Sequence, residues 1–217
     1  MNASYLLGWS FSRLVFATFF RWRVYNPERV PLHGPVILAA NHMSFLDPPL
    51  VGAGLRRDIH YLARESLFRY PGIGALLRSW NAVPVDRDGG GARGLKAILE
   101  RLLAGGAIIL FPEGTRSHDG QLQSGRAGIG LTVIKSSAPV IPVRVFGTFD
   151  AFGRHRRFPC PHRIAVKYGR PLRFESLRAE ARTCSKARLK TIYQGVAEEI
   201  MTAIAQLGPY EEKEAFP

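Results

Sequence analysis

Pro35-Val36-Ile37-Leu38-Ala39-Ala40-Asn41-His42-Met43-Ser44-Phe45-Leu46-Asp47 is the stretch that decides the fold, because an unbroken apolar run gives way within it to polar and ionisable side chains. Residues 35 to 40 read as a short buried strand. A histidine and an aspartate just beyond such a strand occupy the carboxyl end, where sites in open α/β sheets are built. The same switch recurs downstream. Gly106-Ala107-Ile108-Ile109-Leu110-Phe111 is a second buried-strand pattern, and it runs straight into the polar, turn-prone Pro112-Glu113-Gly114-Thr115-Arg116-Ser117.

Around these two strands the pattern alternates. Helical periodicity falls near 45 to 55, 65 to 79, 92 to 104 and 182 to 206, and further strands are expected near 59 to 63, 139 to 146 and 163 to 168. The alternation predicts one α/β domain with a mainly parallel or mixed sheet flanked by helices. A length of 217 residues suits a single core. Pro142, inside Val140-Ile141-Pro142-Val143-Arg144-Val145, cannot donate a ladder bond, so that strand is expected at an edge or irregular there. Residues 147 to 162 read as a long loop, and Glu211 to Pro217 as a frayed tail.

An imidazole accepts a proton from a hydroxyl near neutral pH, and a carboxylate on its other nitrogen fixes the tautomer and favours the imidazolium. His42 and Asp47 supply that pair for activating an alcohol. On one continuous helix five positions advance about 500° and about 7.5 Å, so the two would diverge. They meet if His42 ends a loop and Asp47 lies in the first helical turn, with Ser44 as a cap. The competing reading is a capping serine and aspartate beside an ordinary histidine. In the second loop Arg116 offers a guanidinium suited to phosphate, and Thr115 and Ser117 add hydroxyls. Glu113 would repel phosphate, so it is expected to hold Arg116 or accept a bond from a substrate hydroxyl. A solvated turn with a local ion pair is the alternative.

These blocks resemble the 1-acyl-glycerol-3-phosphate (lysophosphatidic acid) acyltransferase family of glycerolipid acyltransferases. Four family blocks occur in order: Asn41 to Asp47; Ala63-Arg64-Glu65-Ser66-Leu67-Phe68 with Pro71-Gly72-Ile73-Gly74 and Val85-Asp86-Arg87; Phe111 to Ser117; and Val140-Ile141-Pro142-Val143. The resemblance implies His42 as general base and Asp47 as its orienting partner, with direct attack of the alcohol on a thioester and no acyl-enzyme. It implies Arg64, Arg87 and Arg116 around the acceptor phosphate, with Glu113 and Gly114 at the glycerol end, and Thr115 joins them as a substrate-binding hydroxyl. Gly125-Arg126-Ala127-Gly128 and the run to Ile134 resemble the helix lining the family's acyl tunnel, with Arg126 and Gly128 on the donor side. No cofactor is implied, acyl-CoA or acyl carrier protein being the co-substrate. The acceptor implied is 1-acyl-glycerol-3-phosphate, giving phosphatidic acid. Another lysophospholipid or aminolipid acceptor, or a non-catalytic membrane-surface protein, are the alternatives, and intact His42 and Asp47 argue against the last.

Lysine and arginine total 30 against 17 acidic residues, a net charge of +13 that favours anionic surfaces. No nucleic-acid-binding signature accompanies the basic residues of Arg154-His155-Arg156-Arg157, Arg163, Lys167, Arg170 and Arg173, so nucleic acid is not the expected partner. The amino terminus points to an anionic lipid membrane. Tyr5 to Phe20 is apolar and aromatic, is interrupted by Arg13, and falls short of the roughly 20 apolar residues that cross hydrocarbon. It reads as an interfacial helix within a segment 1–26 ahead of the acyltransferase domain 27–217. Trp9 and Trp22 are expected at headgroup level and Arg21 and Arg23 against anionic lipid, with a tilted span or a core-packed helix as the other readings. The cytoplasmic face of an inner membrane suits the charge. Nothing resembles a Gly-x-Ser-x-Gly elbow. Asp88-Gly89-Gly90-Gly91 lacks the ending of a nucleotide loop and reads as a plain surface loop. Cys160 and Cys184 carry no implied disulfide or catalysis, and the remaining histidines have no metal-ligand spacing.

Overall fold

In the computed structural model, which describes residues 2–85 and 92–208, the run from Val36 to Ala40 is the strand β2, buried at every position. The other strands are β1 (Arg23–Tyr25), β3 (Ile59–Arg64), β4 (Ala82–Val85), β5 (Ala107–Leu110), β6 (Val140–Phe146) and β7 (Ala165–Tyr168). They form one sheet in the order β1-β7-β6-β2-β5-β3-β4. All neighbours are parallel except β6 and β7. Parallel strands covered on both faces read as continuous apolar runs, which is why β2 and β5 stand out in the sequence.

Eight helices cover the sheet among the described residues: α1 (Ala3–Thr18), α2 (Asp47–Ala53), α3 (Pro71–Ser79), α4 (Ala92–Leu103), α5 (Ala127–Lys135), α6 (Thr148–Phe152), α7 (Glu175–Glu180) and α8 (Lys186–Gln206). Alternation along β2 sends Val36, Leu38 and Ala40 into a core with Phe16, Phe20, Leu50 and Val51. Ile37 and Ala39 enter the opposite core with Ile98, Val133, Val196 and Ile200. The result is the expected single α/β domain with a mixed sheet.

Several local expectations change. The pattern from 65 to 79 is split into a 3-10 turn over Glu65–Arg69 and α3, because Pro71 holds Tyr70 in an extended conformation. The pattern from 182 to 206 is α8, which starts at Lys186 behind its cap Ser185 accepting from the Arg188 N–H, and the short α7 precedes it. The stretch from 147 contains α6. Pro142 is not on an edge strand: β6 lies between β2 and β7. The carbonyl of Pro142 accepts the Gly169 N–H at 2.7 Å, so its ring nitrogen faces the point where the β6–β7 ladder ends. Beyond it Val140 pairs with Leu172, one residue out of step, so the irregularity expected at Pro142 is present in an interior strand. The Asp86-Arg87 block, the glycine run at 88–91 and the tail from 211 lie outside the described residues.

The amino-terminal helix has two faces. On the inner side, the Tyr5 hydroxyl accepts the Ile59 N–H (3.1 Å), the Trp9 indole donates to the Leu55 carbonyl (2.9 Å), and Arg13 donates to the Ala53 carbonyl (2.9 Å). Arg13 also stacks on both Trp9 and Trp22, and Trp22 packs on Phe16. The two tryptophans therefore tie α1 to the domain instead of standing out at headgroup level. Leu6, Leu7, Phe11 and Leu14 line the outer side and are exposed, as are Arg21 and Arg23. β1, within the same segment, pairs with β7. Among the described residues no helix is long and apolar enough to cross a membrane.

Helix α5 approaches α8 so closely that a Cβ on Gly130 would lie 1.9 Å from the Tyr193 carbonyl oxygen, whereas one on Gly128 would meet nothing within 4 Å. Gly130→Ala is therefore expected to destabilise the domain by about 2 kcal/mol or more through overpacking. Gly128→Ala is expected to stabilise it by up to about 1 kcal/mol through helix propensity. Denaturant melts of the two variants check this contrast, and equal effects would contradict the α5–α8 packing.

Candidate active site

β2 ends where Asn41 takes over a backbone role. Its side-chain carbonyl accepts the Val145 N–H (2.8 Å) and its amide donates to the Val145 carbonyl (3.3 Å), bridging to β6 after the β2–β6 pairing stops. The next residues leave the sheet as a short loop, and Asp47 opens α2 in its first turn. Asp47 is fully buried. One of its oxygens, Oδ2, accepts from the backbone N–H of Met43 (2.6 Å) and of Ser44 (2.7 Å), and lies 2.9 Å from His42 Nδ1. The loop thus curls around the carboxylate that orients the imidazole. Since Nδ1 donates to Asp47, Nε2 is the basic nitrogen, and the side chain keeps 13% of its surface open to solvent.

Ser44 is not the cap of α2; Leu46 holds that position. The serine hydroxyl accepts the Leu46 N–H (3.1 Å) and donates to the Phe152 carbonyl (2.7 Å), fastening the loop to the end of α6. With Ser44 fully buried and its proton committed, it supports the loop.

The loop after β5 grips His42 from the other side. Phe111 stacks on the imidazole with centroids 3.8 Å apart and planes 16° apart. The Ser117 N–H donates to the His42 carbonyl (2.7 Å), and the Ser117 hydroxyl is itself tied to the turn at Asp119 and Gln121. Glu113 Oε2 accepts the His42 N–H at 3.4 Å. That carboxyl is buried at 1% exposure and holds backbone N–H groups, not the arginine expected of it. Burial pushes its pKa from the ordinary 4.5 up to about 7, against the backbone N–H groups of His42 and Gln123, with nearby Asp47 raising it further.

The rest of this loop is directed outward. Gly114 is exposed in the left-handed region (φ 70°), and a Cβ there would lie 2.9 Å from Arg126 Cδ. Arg126 is exposed beside it, immediately before α5, its N–H bound to the Pro112 carbonyl. Arg116 lies over the Phe45 ring, 3.5 Å from guanidinium carbon to centroid. The Thr115 hydroxyl accepts from Arg154 at 2.6 Å. Arg64 is exposed at the end of β3, one strand beyond β5 on the same rim. Gly128 is exposed on α5. His42, Asp47, Glu113, Gly114, Thr115, Arg116 and Arg126 therefore gather where β2 and β5 end, while Arg87 falls outside the described residues. Sequence reasoning gave no role to Asn41, Phe111 or Arg154. Signals existed for Asn41, which opens the first family block, and for Phe111, which directly precedes the polar turn.

Comparison with known proteins places this geometry in context. The family described as Acyltransferase matches residues 21–146. A 1-acyl-sn-glycerol-3-phosphate acyltransferase of Bacillus subtilis is 34% identical over 58% of this chain and 62% of its own length. A chloroplastic 1-acyl-sn-glycerol-3-phosphate acyltransferase of Arabidopsis thaliana is 30% identical over 60% of this chain and 37% of its own. The aligned stretch thus spans less than two thirds of either relative. The crystal structure of the 1-acyl-sn-glycerophosphate (LPA) acyltransferase from Thermotoga maritima superposes with a TM-score of 0.72, at 26% identity, covering 95% of this chain and 81% of that one.

The buried Glu113 has a consequence for stability. The folded protein binds its proton more tightly than the unfolded chain, so this contribution is complete below about pH 4.5 and is lost as pH rises through about 7. Glu113→Gln removes the titration. Between pH 5 and pH 8 the wild-type protein is expected to lose about 2 to 3 kcal/mol relative to that variant. Denaturant melts at the two pH values measure it, and parallel curves would contradict a buried, protonating Glu113.

Proposed function

This chain belongs to the acyltransferase family, and from that premise we propose that it transfers an acyl group from a thioester to the sn-2 hydroxyl of 1-acyl-glycerol-3-phosphate, giving phosphatidic acid. The observation that carries the reading is the 2.9 Å contact between His42 Nδ1 and buried Asp47, which leaves Nε2 as a base at the open rim. His42 takes the proton of the hydroxyl as its oxygen attacks the thioester carbonyl. The tetrahedral intermediate collapses, the carbon–sulfur bond breaks, and the departing sulfur takes that proton from the imidazolium. The products are an ester and a free thiol. Among the described residues the only side-chain hydrogen bond of the His42 ring is to Asp47, which supports direct transfer over an acyl-serine or acyl-cysteine.

Arg116, held flat on Phe45, is the residue we assign to the acceptor phosphate, with Arg64 at the end of β3, Arg87 from the second family block, and the Thr115 hydroxyl and Gly114 backbone beside it. Glu113 we assign to steadying the His42 backbone. Arg126 and Gly128 flank the donor side, where Gly128 leaves space along α5 for an acyl chain. The donor is acyl-CoA or acyl carrier protein. We further propose that the outer face of α1 rests on an anionic membrane on its cytoplasmic side. Leu6, Leu7, Phe11 and Leu14 would enter the headgroup boundary and Arg21 and Arg23 would meet lipid phosphate.

His42→Ala is expected to lower kcat about a thousandfold in thiol-release assays with 1-acyl-glycerol-3-phosphate, with a small drop in melting temperature as the Asp47 bond and the Phe111 stack are lost. Asp47→Asn should reduce both, because three N–H groups converge on the oxygen it alters. Near-normal turnover by the histidine variant would sink the general-base assignment. For the membrane, a Leu7→Glu, Phe11→Glu, Leu14→Glu variant should sediment with anionic vesicles about tenfold less while folding normally. Deleting the helix is the poorer test, since its inner face helps to close the core. Unchanged sedimentation of the triple variant would refute the docking face.

A further inference from the structure

The connection after α6 carries four exposed arginines, Arg154, Arg156, Arg157 and Arg163, none of which forms an ion pair among the described residues. A concentration of uncompensated cations beside a reaction centre calls for an anion. This connection is not a remote surface. Ser44 holds the Phe152 carbonyl, Phe45 packs against Phe152 with centroids 5.8 Å apart, and Phe149 packs against His155. Arg154 crosses to the β5 loop, where one guanidinium nitrogen donates to the Thr115 hydroxyl and the other lies 3.1 Å from His118 Nε2. Its remaining donors stay at the exposed rim.

The sheet order gives this placement its meaning. The connection leaves from β6, on one side of β2, while Arg64 leaves from β3, on the other side of β2 and β5. His42 stands between the two. The proposed reaction brings together two anionic substrates, and their phosphates repel unless each has its own cationic pole. The acceptor phosphate is three bonds from the carbon bearing the reacting oxygen, which suits Arg116 near the base. A pantetheine-linked donor differs, since two amide units separate its thioester from its first phosphate. That phosphate is reached from another direction, and the connection after β6 comes to the rim on the side of β2 opposite Arg64.

We infer that Arg154, in the basic connection after α6, binds the phosphate of the donor's phosphopantetheine arm, giving the donor a cation that reaches the rim from the β6 side. This inference rests on the proposed acyl transfer. The phosphate is common to coenzyme A and to an acyl carrier protein, so it is recognised from either source.

The test compares acyl-phosphopantetheine with acyl-pantetheine as donors for the wild-type protein, Arg154→Gln and Arg126→Gln, in thiol-release assays with 1-acyl-glycerol-3-phosphate. The gain in kcat/KM that the phosphate confers is expected to fall about tenfold in Arg154→Gln. Equal loss with both donors, a raised KM for the acceptor, or a phosphate-dependent loss in Arg126→Gln alone would each overturn the assignment. A drop in sedimentation with anionic vesicles at an unaltered phosphate gain would give the connection to lipid, overturning it as well. Parallel runs with acyl-CoA and with acyl carrier protein identify the source, through which of them shows the Arg154-dependent rise in KM. Calorimetric titration of phosphopantetheine into the wild-type and Arg154→Gln proteins separates the premises. Tenfold tighter binding to the wild-type chain supports the Arg154 site even if no acyl transfer occurs, whereas equal binding removes it whatever the activity.

Discussion

One carboxylate oxygen organises this protein. Asp47 Oδ2 receives the Met43 and Ser44 backbone N–H groups and the His42 ring nitrogen, all within 2.9 Å. Two of those bonds shape the loop and the third aims the base, so loop geometry and imidazole orientation are set by a single buried atom. The arrangement needs Asp47 at the start of α2 and His42 just beyond β2. A side chain five residues away along a helix would point elsewhere; the turn between strand and helix makes the meeting possible.

A base positioned by one loop would still be free to rock. The neighbouring strand removes that freedom. Leu110 pairs with Ala39, so the residues after β5 emerge beside those after β2, and Phe111, Glu113 and Ser117 reach the His42 ring, N–H and carbonyl respectively. Parallel pairing is what delivers two strand ends to one rim, and the apolar runs that permit it are buried on both faces. Burying Glu113 to hold the His42 and Gln123 N–H groups disfavours its charged form, as its raised pKa records. Preorganised donors and acceptors around a base commonly carry such a cost in stability.

The legible parts of the fold are those whose information is local. β2 and β5 are apparent because every residue in them is apolar, and His42 and Asp47 because five positions separate them. β1 and β4 were not apparent, since they close the two edges of the sheet, are short, and carry solvent-facing residues such as Arg23 and Pro84. A proline is tolerable in β4 because an edge strand has an unpaired side. Glu113 was assigned to the rim by its neighbours in the sequence, but the strand beside it decides that it points inward. Arg154 lies 39 positions from Thr115, and no spacing rule joins them. Trp9 and Trp22 have the composition of interfacial anchors, yet Arg13 sandwiched between them and the Leu55 carbonyl draw them in.

The inward turn of those tryptophans changes what the amino-terminal helix can contribute. A helix tethered only by a linker would let the domain tilt freely on a bilayer. Here Tyr5 completes a hydrogen bond to β3, Arg13 caps the end of α2, and the Trp80 indole donates to the Ser4 carbonyl, so α1 is part of the rigid body. Its outer leucines and phenylalanine then present an apolar face at a fixed angle to the strand ends that hold His42. In the proposed docking this matters because the acceptor's acyl chain stays in lipid while its hydroxyl must reach Nε2. The height of the base above the bilayer is then set by the bonds of α1 to the domain instead of by a flexible tether, and proximity of this kind is where much of a bimolecular barrier is removed.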